Sequence, residues 1–351
     1  MIARNVKPLA VAILVVTAAG TTTNAADEPS RGKDATLTRR VTAALEKGVP
    51  LVAVAAMNYP DHRRCFSCHH QTLPMMAIVA SRNAGIDTDA TVLDLQTEFV
   101  RGSFSGRLDS LRNGKGIGGR ALTVGYALAA LQLADWPKDE LTTAMVTYLV
   151  KTQNDDGHWQ VQSNRPPLEE SSASATAIAV AGLQAFAPDD SGDESELRQQ
   201  VDQALVHAKQ WLINAPVNST EDKTGRLWCL HLLDVSDQLA SARDVLLAAQ
   251  REDGGWPQLD DMQSDAYATG QALCVLLATG LSPDEDACRR GIEFLLQTQL
   301  DDGSWFVKSR SEPIQVMFDN GDPHGDDQFI STPASCWALT ALALWRRASG
   351  R

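Results

Sequence analysis

Residues 289–305 read RRGIEFLLQTQLDDGSW, and the last seven letters repeat a phrase that occurs twice earlier in the chain. The earlier copies are QNDDGHW at residues 153–159 and QREDGGW at residues 250–256, so all three follow Gln-x-(Asp/Glu)-Asp-Gly-x-Trp. The last two copies begin 49 residues apart (299 − 250), and the first two begin 97 apart (250 − 153), nearly twice that spacing. This spacing predicts a degenerate copy at residues 201–215 and indicates a repeat of about 50 residues.

Each copy of the phrase separates two different kinds of helical pattern. Upstream segments such as residues 284–298 (DEDACRRGIEFLLQT) begin with acidic residues and place apolar residues three and four apart, which is typical of a helix with one buried face. Downstream segments such as residues 264–280 (SDAYATGQALCVLLATG) are apolar on nearly every side, which indicates a buried helix. Six segments of the buried kind begin near Cys68, Ala121, Ser172, Gly225, Asp265 and Pro333.

This alternation predicts an all-α fold, an (α/α)6 toroid of six outer and six inner helices. An open superhelix has the same period. We prefer a closed ring because six helix pairs complete a barrel and because the inner segments have no polar face that could contact solvent. The repeat extends over nearly the whole chain, so we expect a single domain over residues 27–351.

The Gln-x-x-x-Gly-x-Trp phrases resemble the QW motifs of squalene-hopene cyclases and prenyltransferase β-subunits. The stretch at residues 289–305 is similar to the longer family pattern of a basic residue, Gly, an aromatic residue, Gln, Gly and Trp. The resemblance implies a toroid in which the Gln amide and the Trp ring tie an outer helix to the following loop. These motifs are structural, so they identify a fold and not a reaction.

The resemblance also implies what a cyclase of this family would need. Squalene-hopene-type cyclases protonate a polyene with an acid from an Asp-x-Asp-Asp motif, inside an aromatic-lined cavity. The full motif is absent from this sequence, in which aromatic residues make up only 6%. Asp265, at a comparable loop-to-helix junction, is the candidate catalytic acid. A classical squalene cyclase is therefore not expected, whereas a small-molecule or lipid-like ligand in the toroid cavity is compatible with the resemblance.

The net charge and the N-terminal residues indicate which binding partners and which cellular location to expect. The formal net charge of −13 argues against a nucleic-acid partner, because phosphate binding needs clustered Lys and Arg. A signal peptide is predicted over residues 1–26, since Arg4 and Lys7 precede a short apolar run at residues 9–20 and small residues follow near Ala25. The apolar run is too short to span a bilayer, which takes about 20 residues. We expect an exported (periplasmic or secreted) protein without a transmembrane segment after signal removal.

The candidate site residues lie before the predicted inner helices. In a closed toroid, every loop that leads from an outer to an inner helix opens on the same face, so these residues surround one mouth. The longest such loop, residues 306–331, contains PHGDDQF at residues 323–329, and long loops often form part of a site. The candidate metal ligands at this mouth are Cys65, Cys68, His69, His70, His324 and Asp326.

The run Cys-Phe-Ser-Cys-His-His at residues 65–70 has three interpretations. Cys-x-x-Cys-His is the attachment signature of c-type haem, in which Cys65 and Cys68 would form the thioethers and His69 would bind the iron. Two thiolates and an imidazole also suit zinc, with a more distant ligand completing the site. A local disulfide between the two cysteines, or a pair of free thiols, is the third interpretation.

The sequence thus predicts an exported terpenoid cyclase/prenyltransferase-like toroid protein of unproven activity, with a cofactor site in the toroid mouth. The predicted cofactor is haem c or zinc. Two alternatives stay open, namely a c-type haem redox protein that uses the toroid as a scaffold and a non-catalytic extracytoplasmic binding module. Covalently retained haem, or stoichiometric zinc, would separate these interpretations.

Overall fold

The structure, a computed structural model, describes residues 28–189, 195–312 and 316–350, and in these ranges its regular secondary structure is almost entirely helical. The outer helices are α1 (Glu28–His62), α3 (Ala90–Ser105), α6 (Glu140–Thr152), α8 (Ser195–Ile213), α10 (Ser236–Ala248) and α12 (Asp286–Thr298). The inner helices are α2 (Leu73–Asn83), α5 (Arg120–Leu133), α7 (Ser172–Phe186), α9 (Thr220–Leu232), α11 (Ala266–Ala278) and α13 (Gln328–Ala348). A short helix, α4 (Leu108–Arg112), follows α3.

Three short elements sit at the starts of inner helices. A π-helical turn (Cys68–Thr72) leads directly into α2, and a 3-10 turn (Gly325–Asp327) leads into α13. Two-residue strands β1 (Trp256–Pro257) and β2 (Ser264–Asp265) pair antiparallel in the loop before α11. The all-α prediction is therefore confirmed, with this small hairpin as the only strand pairing within the described ranges.

The inner helices form a closed ring. Along the chain, α2 packs against α5, α5 against α7, α7 against α9, α9 against α11, and α11 against α13. The ring closes because α13 also packs against α2, and on the outside α12 contacts α1. The predicted toroid of six outer and six inner helices is thus confirmed, and the open superhelix is wrong.

Burial follows the two kinds of helical pattern. In α11 every residue of 266–277 is buried, whereas in α12 only one face is buried, formed by Cys288, Gly291, Ile292, Phe294 and Leu295. Small residues bring the inner helices into backbone contact: a Cβ added to Gly270 of α11 would lie 2.6 Å from the backbone of Trp337 and Ala338 in α13. The outer helices thus bury one apolar face, whereas the inner helices are buried on all sides, and this difference distinguishes the two rings.

The tryptophan of each repeated phrase closes the end of an outer helix. The indole Nε1 of Trp305 donates to the Leu295 carbonyl oxygen in the last turn of α12 at 2.8 Å, and its ring is fully buried. Trp159 and Trp256 make the equivalent 2.8 Å bonds to carbonyls of α6 and α10. Each indole therefore adds a hydrogen bond to a carbonyl in the last turn of an outer helix and buries its ring over the end of that helix.

The glutamine of each phrase joins two neighbouring outer helices. The Gln299 amide donates to the carbonyl of Gly303 in its own turn and to the carbonyl of Ala44 in α1, both at 3.0 Å. Gln153 and Gln250 make the same pair of bonds, and their second acceptors lie in α8 and α12. The Gln299 bonds span the seam where the last outer helix meets the first, so they hold the ring closed.

Two predicted helix starts are wrong by about one turn. Helix α9 begins at Thr220 and not near Gly225, because Ser219 and Asp222 form a capping box that starts the helix earlier. Helix α13 begins at Gln328, so Pro333 lies inside it, in its second turn. The degenerate repeat copy lies at the end of α8 and in the loop before α9, as its position in the sequence predicts.

The signal-peptide prediction, residues 1–26, lies outside the described residues and stays a prediction. Within the described ranges, one helical segment, Ala35–His62, is long and apolar enough by length and composition to cross a membrane. This differs from the expectation that no such stretch follows the signal. The segment packs against α2, α3, α12 and α13, as a core helix of the toroid does. Its length and apolar composition are therefore weak evidence for a membrane span.

Candidate functional site

A cavity of about 360 Å3 opens at the mouth of the toroid. Its lining comes mainly from residues 65–69 before α2, Thr123 of α5, residues 165–169 before α7, and residues 308–312 and 326–330 around the start of α13. These segments are far apart in the sequence, and the closed ring brings them together. The expectation that loops before inner helices share one opening is confirmed for these four helices. We call this space the mouth cavity.

Three residues of the Cys-x-x-Cys-His motif line the mouth cavity, namely Cys65, Cys68 and His69. The Cys65 thiol is exposed and its sulfur lies 3.6 Å from the Tyr59 hydroxyl, whereas Cys68 is buried at the start of the π-helical turn. Burial, with a smaller contribution from Glu169, raises the pKa of the Cys68 thiol to about 12. Both cysteines are free thiols in this structure, and a disulfide between them stays a prediction.

His69 is poised as a neutral ligand. Burial, followed by the neighbouring His70 and Arg165, holds the pKa of His69 well below its usual range, so the ring is uncharged at neutral pH. Its Nδ1 is buried and has no hydrogen-bond partner among the described residues. A neutral imidazole is the form that binds metal ions and haem iron. An unpaired buried nitrogen beside a cavity is costly unless a bound group satisfies it or the ring turns.

His70 faces the other way, into the core. Its Nε2 lies 2.5 Å from the Asn320 side-chain amide, and its ring stacks on Tyr59 with 4.8 Å between centroids. Burial lowers the pKa of His70 to about 3, so this imidazole is also neutral. His70 is not among the residues that line the mouth cavity. It ties the long loop before α13 to the π-helical turn and so fixes the segment that carries His69.

The two other predicted ligands separate in the structure. Asp326 lines the mouth cavity, but His324 does not: its Nε2 lies 2.8 Å from the Ser304 hydroxyl, and its backbone N–H donates to Asp322. Within residues 28–189, 195–312 and 316–350, no three His, Cys, Asp or Glu side chains are grouped so that they could hold a metal ion. The six-ligand set is therefore not assembled in the described part of the chain, and a metal role for these residues stays a prediction.

Charged side chains of both signs surround the mouth cavity. Arg165 forms an ion pair with Glu169 on the α7 side, and Lys308 pairs with Asp327 on the α13 side with 3.0 Å between nitrogen and oxygen. Lys308 is largely exposed, while Glu169 is almost completely buried. Glu312 and Asp326 also line the cavity, so its charged lining holds four carboxylates and two cations, and both cations are paired with carboxylates.

Asp265, the candidate catalytic acid, is the N-cap of α11. One carboxylate oxygen accepts the Ala268 N–H at 2.9 Å, and the other accepts the Gln258 amide at 2.9 Å. Burial raises the pKa of Asp265 to about 6. Asp265 lines neither the mouth cavity nor the axial cavity described below. The contacts show a cap, and its catalytic role stays a prediction.

We expect the Asp265→Ala substitution to lower the free energy of unfolding by about 1 kcal/mol, because the first turn of α11 loses its side-chain acceptor. Asp265→Asn keeps an acceptor oxygen and is expected to cost less. Urea unfolding followed by circular dichroism measures both. An equal loss in the two variants would contradict the capping role and would indicate that the ionisable carboxyl group of Asp265 is what stabilises the fold.

A second cavity, the axial cavity, lies between the six inner helices and has a volume of about 60 Å3. It is lined mostly by apolar and aromatic side chains, including Met76, Tyr126, Trp228 and Trp337. One carboxyl group also lines it, that of Glu221 in the first turn of α9. The Tyr267 hydroxyl donates to one oxygen of this carboxyl at 3.0 Å. The other oxygen, Oε1, is buried and makes no well-formed hydrogen bond with the described residues, although the Ser174 and Gln271 side chains lie close enough to the carboxyl to lower its pKa.

Sequence reasoning missed Glu221. Burial raises the pKa of this carboxyl to about 7, so the acid is close to half-protonated at neutral pH. A perturbed acid in an apolar cavity is a feature that functional sites share. The available signal was the pair Glu221-Asp222 just before the apolar residues of this inner segment, but the helix was predicted to begin after it.

Solved structures give the same architecture. A variant of the type II terpene cyclase MstE from Scytonema, in complex with the product merosterolic acid A, aligns with a TM-score of 0.54 over 90% of this chain and 99% of that chain, at 14% identity. Another MstE variant, in complex with the substrate geranylgeranyl dihydroxybenzoate, gives 0.52 over 89% and 99%, at 12% identity. The chain has the terpene-cyclase toroid fold. At these identities the likeness shows the fold alone.

Two further comparisons limit what the toroid implies. A possible member of the GH105 family from Salmonella enterica aligns with a TM-score of 0.53 over 93% of this chain and 96% of that chain, at 12% identity. In sequence, a stretch of 107 residues is 30% identical to part of lanosterol synthase from Candida albicans. The alignment covers 27% of this chain and only 14% of that enzyme. No family model matches the chain. The toroid neighbours differ in kind, so the fold does not select a reaction.

Proposed function

We propose that this chain is an exported toroid protein that carries haem c at Cys65, Cys68 and His69, and that it acts in redox chemistry. One observation carries the proposal: both thiols and the imidazole of the motif line the same mouth cavity. When bound, haem would supply one-electron chemistry, held by thioethers at the two cysteines and by the histidine on its iron. Export is consistent with this proposal, because covalent haem is attached outside the cytoplasm.

The size of the mouth cavity and the His69 ring support the proposal. At about 360 Å3 it has room for roughly 25 to 35 water-sized groups, the scale of a porphyrin with an edge left at the opening. The unpartnered nitrogen of the neutral His69 ring offers a ligand position.

Two observations favour haem over zinc. Zinc needs thiolates and about four converging ligands, whereas Cys68 is buried with a raised pKa and the described residues contain no such group. Thioether attachment requires only that both thiols face the macrocycle, which lining one cavity allows.

The axial cavity argues against cyclisation of a long isoprenoid. Its volume of about 60 Å3 holds only roughly four to six water-sized groups. The MstE complexes show that a toroid of this kind can hold a geranylgeranyl compound. Here the inner helices are packed too closely around the axis for a chain of that length, so turnover of a terpenoid is not the function we propose.

The test expresses the full chain, including residues 1–26, in a host that attaches c-type haem. We expect a red protein whose Soret absorption and haem mass survive denaturation. Cys65→Ser together with Cys68→Ser is expected to abolish covalent haem, whereas Cys288→Ala, a change to a buried cysteine of α12, retains it. Stoichiometric zinc that disappears in Cys65→Ser, or a colourless and metal-free protein, would overturn the proposal.

The two adjacent histidines supply a matched comparison. His69→Gly is expected to keep the covalent haem but to lose the absorption spectrum of the histidine-bound iron. His70→Gln is expected to leave that spectrum unchanged, because His70 faces Asn320 and not the cavity. Thermal unfolding by circular dichroism establishes that both variants fold. The reverse pattern would assign the iron ligand to His70 and contradict the geometry.

A further inference from the structure

The axial cavity contains three buried polar atoms that have no hydrogen-bond partner among the described residues. They are Glu221 Oε1, Trp228 Nε1 and Trp337 Nε1. One is an acceptor and two are donors, and all three belong to residues of α9 and α13 that line the single space between the six inner helices. A buried polar group without a partner costs free energy, so three around one cavity point to a ligand that satisfies them.

From these atoms we infer that the axial cavity is a binding site for a small organic cation that also carries a hydroxyl group, such as a short primary amino alcohol. The ammonium group would donate to Glu221, and the hydroxyl oxygen would accept an indole N–H from Trp228 or Trp337. The rings of Tyr126, Trp228 and Trp337 line the same cavity and offer π faces to the cation.

The size of the cavity sets the size of the ligand. A volume of about 60 Å3 accepts roughly four to six water-sized groups, which matches a two-carbon amino alcohol. The axial cavity shares no lining residue with the mouth cavity. The site is therefore separate from Cys65, Cys68 and His69, and it stands whether or not haem is bound.

Electrostatics select a cation over an anion. Glu221 is the single acidic residue among those that line the axial cavity, and the cavity lining contains no Lys, Arg or His. The other titratable groups near the Glu221 carboxyl are Tyr126 of α5, Tyr267 of α11 and Asp222 of α9. The charge of Asp222 makes a further negative charge near it unfavourable. The net charge of −13 attracts small cations to the protein from solution.

The test uses three probes of nearly equal size with the full-length protein. Ethanolammonium has both groups, 1-propanol replaces the ammonium with a methyl, and propylammonium replaces the hydroxyl with a methyl. Calorimetry is expected to show ethanolammonium binding at least about ten-fold more tightly than 1-propanol, with propylammonium between them. Because ethanolammonium has only four non-hydrogen atoms, we expect its Kd to be no lower than roughly 40 µM. Equal affinity for ethanolammonium and 1-propanol would overturn the proposal.

Variants identify the groups that bind. Glu221→Gln is expected to weaken ethanolammonium at least about ten-fold, whereas Glu140→Gln, which removes the same charge from the surface of α6, leaves it unchanged. Trp228→Phe keeps a ring but removes an N–H, so it is expected to lower the affinity for ethanolammonium and not for propylammonium. If Glu221→Gln does not fold, calorimetry of the native chain at pH 6 replaces it. At that pH the carboxyl is mostly protonated, so binding of ethanolammonium is expected to release the Glu221 proton. Binding without proton release would contradict the proposal.

Discussion

Replacing Gly303 with alanine is expected to lower the free energy of unfolding by about 3–5 kcal/mol. Gly303 has φ +97°, a conformation that side-chain-bearing residues rarely adopt. A Cβ built on it would lie 2.7 Å from the carbonyl oxygen of Lys47 in α1, which is backbone and cannot turn away. The same turn places Gln299 against Ala44, so the substitution forces apart the seam that closes the ring. Urea unfolding followed by far-ultraviolet circular dichroism measures the loss.

Gly325 is the matched control for Gly303. It also has positive φ, +54°, but a Cβ added there meets no atom within 4 Å. Gly325→Ala is therefore expected to cost only about 1–2 kcal/mol, the cost of the left-handed conformation alone. If Gly303→Ala costs no more than Gly325→Ala, the approach of the turn to α1 is not what makes glycine necessary.

Glu221 is expected to make the protein less stable as the pH rises. The folded-state pKa of about 7 lies above the ordinary value of 4.5, because burial disfavours the charged carboxylate. Between these values the folded chain keeps a proton that the unfolded chain has lost, so raising the pH favours unfolding. A shift of this size corresponds to about 3 kcal/mol, with the stability fully present below pH 4.5 and lost by about pH 8.

The Glu221→Gln variant isolates this contribution, because glutamine does not titrate. We expect wild type to lose about 3 kcal/mol relative to the variant between pH 4.5 and pH 8. Asp265, His69 and His70 titrate in both proteins, so their contributions cancel in the difference. Urea unfolding at several pH values supplies the comparison. Parallel pH profiles for the two proteins would show that the carboxyl is solvated in the folded state.

The architecture followed from the sequence because its determinants are local and repeated. The phrase that ends at Trp305 recurs with fixed spacing, and each copy makes the same bonds in the structure. The contrast between one-sided and all-round apolar helices separated the outer ring from the inner ring. The starts of α9 and α13 were harder to predict, because capping at Ser219 and a proline tolerated in the second turn of α13 depend on only a few residues.

The site was only partly predictable, for a different reason. The spacing of Cys65, Cys68 and His69 marked a cofactor motif, and the structure places all three on one cavity. Adjacency in sequence does not fix direction, so His70, one residue on, faces the core. Glu221 escaped notice because the inner helix was predicted to begin near Gly225, after it. Its burial arises only when six helices from the whole chain surround it.

The contact between α2 and α13 has a consequence for synthesis. The bond from Gln299 to Ala44 joins residues 255 positions apart, and α2 has no neighbour on that side until α13 is made. At about 5–20 residues per second, the nascent chain carries this uncovered edge for roughly 13 to 50 seconds. During that interval the incomplete arc presents apolar surface at both ends. Chaperones that shield such an arc are therefore expected to raise the yield of native protein.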